Sequence, residues 1–196
     1  DSVASRGLGD VYKRQGGSKM AITKYESYYN QIKESLNEIK ETNEYENLSK
    51  AFIHWYLKNH IFMDDQEIGE CIIDGSGDNG IDAIILNEEE KELTVMQFKF
   101  PATSKGINEE ISQGDILKTI NGFNILINKS STSESNSQFR EYKNKISDID
   151  IFKFNIQFIS FNKGIEANAN KELIDNFAKN FKKDFGSELN LSLIHI

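Results

Sequence analysis

Tyr25, Tyr28, Ile32, Leu36 and Ile39 recur at helical spacing with lysines and glutamates between them. That spacing predicts an amphipathic first helix. A second helix is expected through Glu46, Leu48, Phe52, Trp55 and Leu57, with Asn43 as its cap. Its apolar face is broad, so it belongs in the core. The period then shortens. Ile68 to Ile73 is a short strand candidate. Ile81 to Leu86 and Leu93 to Phe100 are apolar and β-prone, and the charged turn Asn87 to Lys91 joins them as an antiparallel hairpin. Helical spacing returns over Ile111 to Ile127 and over Gln138 to Ile146. Between these lies the Ser-rich stretch Lys129 to Ser137, read as a mobile loop. Phe152, Phe154, Ile156 and Phe158 alternate, which predicts a central strand over Phe152 to Phe161. Leu173, Ile174, Phe177 and Phe181 define a closing helix over Asn168 to Phe185. The expected order is ααβββααβα, without internal repeats or heptads. Its expected fold class is α/β, a mixed central sheet flanked by helices.

The two ends follow a different logic. Asp10-Val-Tyr-Lys-Arg-Gln15 can be written GAT GTG TAT AAG AGA CAG. The reverse complement translates as Leu-Ser-Leu-Ile-His-Ile, which is Leu191 to Ile196. One inverted DNA element thus flanks both ends, and it resembles a transposon end used in sequencing libraries. Residues 1–15 and 191–196 are read as translated adaptor and set outside the fold, and 1–15 is expected to be unstructured. Gly16 to Lys19 fits a purine-rich ribosome-binding site ahead of Met20, so residues 1–19 are read as non-native. The native domain is then 20–190, the N-terminal part of a longer protein.

The span 20–190 suits one domain with a full core. Dropping residues 1–15 and 191–196 removes Arg6, Lys13 and Arg14 together with Asp1 and Asp10, so the formal charge moves from −8 to −9. An acidic domain does not attract nucleic acid through its overall field. The single Cys71 excludes a disulfide framework and fits a reducing cytoplasm. No apolar run is long enough to span a bilayer, and no signal peptide follows Met20.

The chemistry concentrates in Asp74-Gly-Ser-Gly-Asp78-Asn-Gly-Ile-Asp82 and, fifteen residues beyond Asp82, Gln97-Phe-Lys99. Gly75, Gly77 and Gly80 let the backbone turn sharply beside Asp82. Gln97 and Lys99 stand two apart, so they share one side of a strand. Pairing the two strands brings Asp82, Gln97 and Lys99 to one edge of the sheet. An acid, an oxygen ligand and an ammonium there are what a Mg²⁺- or Mn²⁺-dependent phosphodiester hydrolase needs. A lysine turned inward on Val95-Met-Gln-Phe-Lys-Phe needs an anionic partner, and Asp82 is the expected one. A structural salt bridge or a plain Asp-Gly turn would leave the same residues. Asp74, Ser76, Asp78, Gly80 and Asp82 also imitate an EF-hand loop, but Asn79 and Ile85 stand where glycine and a bidentate glutamate are required. That reading is rejected.

Gly-Asp-Asn-Gly-Ile-Asp82 followed by Gln97-x-Lys99 resembles the PD-(D/E)xK nuclease superfamily. The match is to its Mrr-type branch, in which glutamine replaces the usual acid. The longer phrases Asp-Asn-Gly-Ile-Asp-Ala-Ile-Ile and Gln-Phe-Lys-Phe are similar to the N-terminal region of the abortive-infection phage-resistance (AIPR) family. The resemblance covers about Glu46 to Phe100. It implies a restriction-endonuclease-like fold and Mg²⁺-dependent hydrolysis of DNA in bacterial phage defence. It implies an acid on the preceding helix, Glu46, with Glu44 as the second candidate. Asp82 and Gln97 would ligate the metal with the Phe98 carbonyl, and Lys99 would activate water and stabilise charge on the phosphate. The partners it implies are DNA, the remaining domains of the same protein and a second copy of the chain, with no membrane. A competing reading keeps the fold as a catalytically weak or inactive scaffold that binds nucleic acid or a partner. Gln97 and the acidic charge favour that alternative; intact Asp82 and Lys99 oppose it. His54 and Trp55 are read as packing residues, His60 as a helix-end contact, His195 as adaptor and Cys71 as a buried thiol on a strand.

Overall fold

The computed structural model describes residues 9–73, 75–128, 136–162 and 168–196, with side chains from Lys24 onward. Helix α1 runs Gly9–Thr42. Its core stripe is Tyr29, Ile32 and Leu36, while Tyr25 and Tyr28 are exposed. The stripe is thus displaced by one residue from the expected Tyr28, because Tyr29 stacks on Phe100 and its hydroxyl donates to Pro101 O at 3.0 Å. Residues 9–15 are helical, where an unstructured adaptor was expected; they continue the helix that Tyr29, Ile32 and Leu36 anchor.

Asn43 ends α1 instead of capping the next helix. Its Nδ2 donates to Ile39 O at 2.9 Å, and Glu44 adopts a left-handed φ of 55°. The cap of α2 (Leu48–Tyr56) is Asn47, whose side chain accepts the Lys50 amide. A π-helical turn, Leu57–Ile61, extends α2.

The strand expected over Ile68 to Ile73 is instead helix α3, Asp65–Cys71. Asp64 and Glu67 form a reciprocal capping box, two 2.8 Å bonds that satisfy helix-end amides no strand would leave open. Ile72 forms an isolated bridge to Ala83, and the Ile73 amide donates to Asp82 O at 2.9 Å. Cys71 is buried at the end of α3, and burial pushes its thiol up to about 11.

The hairpin is as expected: β1 Ala83–Asn87 and β2 Glu92–Lys99 pair antiparallel. A 3₁₀ turn, Ser104–Asn108, leads to α4 (Gln113–Ile127) and α5 (Ser137–Ser147). Strand β3 (Lys153–Ser160), helix α6 (Asn168–Phe185) and strand β4 (Glu188–His195) complete the order. The sheet is four-stranded and mixed, β1-β2-β3-β4, with β3 parallel to both neighbours. Strand β4 is a further departure, since 191–196 is read as adaptor outside the fold. Leu189, Leu191 and Leu193 alternate with polar residues, and that pattern meets the open edge of β3 with its apolar side inward. Of the Ser-rich stretch Lys129 to Ser137, 129–135 lies outside the described residues, while Asn136 caps α5 and Ser137 begins it.

Two cores lie on the two faces of the sheet. Val95, Phe154, Ile156 and Phe158 pack with Ile116, Ile120 and Phe123 of α4 and Phe181 of α6. Met96, Phe98, Ile159 and Phe161 pack with Leu36 of α1 and Phe52 and Tyr56 of α2. The period of two in β2 therefore sends Gln97 and Lys99 toward α4 and Phe98 toward α2.

Gly122 lets α4 approach the turn before β1. A Cβ there would stand 2.2 Å from Asn79 O. Gly122→Ala must push the turn off the helix, and it is expected to destabilise the fold by about 1–3 kcal/mol. An unchanged urea midpoint would contradict this packing.

Candidate functional site

Asp82 ends the glycine turn one residue before β1. Asn79 and Gly80 have left-handed φ values of 56° and 77°. Asp78 braces the turn: its Oδ1 accepts the Gly80 amide at 2.7 Å and the Lys118 ammonium at 3.1 Å. Asp74 lies outside the described residues. The register Ala83↔Met96 sets Asp82 beside Gln97. Its backbone amide donates to Met96 O, and its Oδ2 accepts the Phe98 amide at 2.7 Å. Phe98 thus reaches Asp82 through its N–H.

The Asp82 carboxyl is half-buried and pushed up to about 6. Burial is the main cause, and the nearby Asp78 charge adds to it. The Phe98 amide and the ammonium groups of Lys118 and Lys99 pull the other way.

Lys99 does not pair with Asp82 as expected. Its Nζ bonds Asp115 Oδ2 at 2.9 Å, on α4. As the last residue of β2, Lys99 is half exposed and reaches sideways to the helix that covers its face. Ser112, the N-cap of α4, also donates to Asp115 Oδ2 at 2.9 Å. Burial alone would raise the Asp115 carboxyl; the bonds from Lys99 and Ser112 outweigh it and hold it below the ordinary value. One turn along α4, the buried Thr119 Oγ1 stands 2.7 Å from Gln97 Oε1.

Asp82, Gln97 and Lys99 therefore meet on the α4 side of the hairpin. Glu46 stands apart from them. It is exposed in the bend before Asn47, and α2 covers the opposite face of the sheet. Glu44 is exposed in the turn that ends α1. The sequence reading did not single out Asp115, Thr119 or Lys118. A signal existed: Thr119 is a polar residue within the apolar run Ile116, Ile120, Phe123 of a helix that was foreseen, and Asp115 lies one turn before it.

A cavity of about 200 Å³ opens beside Lys99, between the Phe100 and Phe161 rings and the polar Ser160 and Asn162. Glu109 and Glu110 stand at its border and add negative charge there. His54 is buried between the Tyr45 hydroxyl, 2.9 Å from Nδ1, and Asp65, 3.2 Å from Nε2. This tie joins the α1–α2 bend to α3, a packing role as expected. His60 is exposed and stacks on Tyr56. His195 ends β4, with Nδ1 2.6 Å from Asn162 Oδ1.

Among the described residues, no group of three or more His, Cys, Asp or Glu side chains is gathered to hold a metal ion. A donor set of one carboxylate and one amide oxygen still fits Mg²⁺, which keeps several waters and takes one or two carboxylates. No helix among the described residues is long and apolar enough to cross a membrane. Comparison with family models, with curated proteins and with solved structures finds no match.

Proposed function

We propose that this chain is a Mg²⁺- or Mn²⁺-dependent nuclease domain of restriction-endonuclease-like type that hydrolyses DNA phosphodiesters in bacterial phage defence. The observation that carries the reading is the meeting of Asp82, Gln97 and Lys99 on one side of the β1–β2 hairpin. Asp82 and Gln97 would hold the cation, which supplies a more acidic water and neutralises charge on the phosphate. Asp82 is suited to this because its charge is poorly solvated and the Phe98 amide fixes its orientation. Lys99 would place its ammonium against the phosphate oxygens as charge develops. Asp115 holds that ammonium until a phosphate competes for it. Gln97 brings no charge, so metal binding is weaker than at a site with two acids.

A second reading has a specific observation behind it. Lys99 is already neutralised by Asp115, and Glu109 and Glu110 border the adjoining cavity. A scaffold that binds a partner without cleaving DNA would tolerate both.

The deciding experiment uses the longest available chain with radiolabelled single- and double-stranded DNA and RNA. Cleavage of DNA is expected with Mg²⁺ or Mn²⁺, with none in excess EDTA and none for Asp82→Ala. Thermal melting should show metal-dependent stabilisation that Asp82→Ala removes. Equal cleavage by the variant, or cleavage in EDTA, refutes this mechanism; metal binding without any cleavage favours the scaffold.

A further inference from the structure

Thr119 Oγ1 is buried against three oxygens: Gln97 Oε1 at 2.7 Å, Gly80 O at 2.8 Å and Asp115 O at 3.0 Å. A hydroxyl has one proton to donate and two lone pairs to accept with. Asp115 O lies one helical turn back and already takes the Thr119 amide in the α4 ladder. Gly80 O is a carbonyl and can only accept. The single proton can serve one of the three. Donated to Gly80 O, it leaves two oxygens 2.7 Å apart with no hydrogen between them. Such a contact is repulsive, and burial increases its cost.

A glutamine side chain offers a way out. The two ends of its amide have almost the same shape, and hydrogen bonding decides which end stands where. With Nε2 facing α4, the amide donates to Thr119 Oγ1 and the hydroxyl donates onward to Gly80 O. The Gln97 and Gly80 contacts are then each a donor meeting an acceptor, and Asp115 O keeps its bond from the Thr119 amide. The amide oxygen turns away from the helix.

We infer that Thr119 is a positioning residue that fixes the Gln97 amide with its nitrogen toward α4 and its oxygen toward the Asp82 site. It makes Gln97 an oxygen ligand for a divalent cation instead of an N–H donor. The ligand role rests on the nuclease reading; the amide orientation does not. The same chain of bonds ties the ligand to the turn that carries Asp82, since Gly80 O receives the Thr119 proton two residues before it.

Two measurements separate these parts. The first is NMR of the metal-free protein. The Gln97 side-chain NH₂ pair is assigned as the one that Gln97→Glu removes. Its protons should show cross-peaks to the Thr119 methyl group. Their absence overturns the inference whatever metal does.

The second is Mn²⁺ affinity across a double-mutant cycle, read by calorimetry. Thr119→Val keeps the shape and removes the acceptor, so affinity should fall about 10-fold or more, as is usual when a ligand's supporting group is lost. Thr119→Ser should retain it. In the Gln97→Glu background both ends of the side chain are oxygens, so Thr119→Val should cost far less. An equal loss in both backgrounds marks Thr119 as merely structural and overturns the inference. Cross-peaks in a wild-type protein that binds no Mn²⁺ overturn the nuclease reading, and with it the ligand role of Gln97.

Discussion

Asp82→Asn is expected to stabilise the metal-free protein at pH 8 by about 2 kcal/mol while abolishing its response to Mg²⁺. The Asp82 carboxyl is pushed up to about 6 by burial, with the Asp78 charge adding to it. The folded protein therefore holds this proton more tightly than the unfolded chain does. The resulting stability is full below the unfolded value near 4, and it is lost as pH rises through about 6. Above that, the fold carries a carboxylate it solvates poorly. That rise is equivalent to about 3 kcal/mol, reduced to about 2 because the side chain is only half-buried. Asparagine can keep the bond from the Phe98 amide through its oxygen and carries no charge. Urea denaturation at pH 5 and pH 8 checks this. The gap between variant and wild type should open as pH rises through 6, and Mg²⁺ should close it by stabilising wild type alone. A variant less stable than wild type at pH 8 would show that the charge is well accommodated. A group kept at a cost to stability is what a functional site leads one to expect.

Loss of the Lys99 ammonium should lower cleavage by about a hundredfold or more, since a group opposing charge that develops in the transition state contributes on that scale. Stability is a control here. Lys99 is half exposed and its pairing with Asp115 is solvent-screened, so Lys99→Ala should change unfolding free energy by less than about 1 kcal/mol. A large drop in activity with an unchanged melt would locate the effect in catalysis. Asp115→Asn makes a useful partner experiment. It frees Lys99, so it should change cleavage less than removal of Lys99 does. If Lys99→Ala cuts at the wild-type rate, the ammonium has no catalytic part and the role proposed for Lys99 falls.

The hairpin was legible because both of its signals are local. Apolar, β-prone runs flank Asn87 to Lys91, and strand alternation alone puts Gln97 and Lys99 on one side. Helices α4, α5 and α6 followed from helical spacing, and β3 from its alternating phenylalanines. The error at Ile68 to Ile73 was avoidable. Its apolar residues are too few to distinguish strand from helix, but Asp64-x-x-Glu67 is a helix-start pattern in plain view. Misplacing the α2 cap at Asn43 has a similar origin. Asparagine serves both the end of one helix and the start of the next, and two asparagines lie four residues apart in that bend.

The sequence by itself determined the periodicities, the turn glycines and the identity of the groups that meet at the end of the hairpin. Only the tertiary structure decided their partners. Lys99 could reach any carboxylate within a side chain's length. It bonds Asp115 because α4 lies over its face of the sheet, close enough that Gly122 allows no Cβ. Glu46 precedes a helix that covers the other face, a choice the chain makes through Phe52 and Tyr56 packing on Phe98. Strand β4 forms because β3 leaves an edge to be paired. Each of these depends on which faces are buried together, and burial is settled by the whole assembly of helices and sheet, since no single segment can cover its own apolar side.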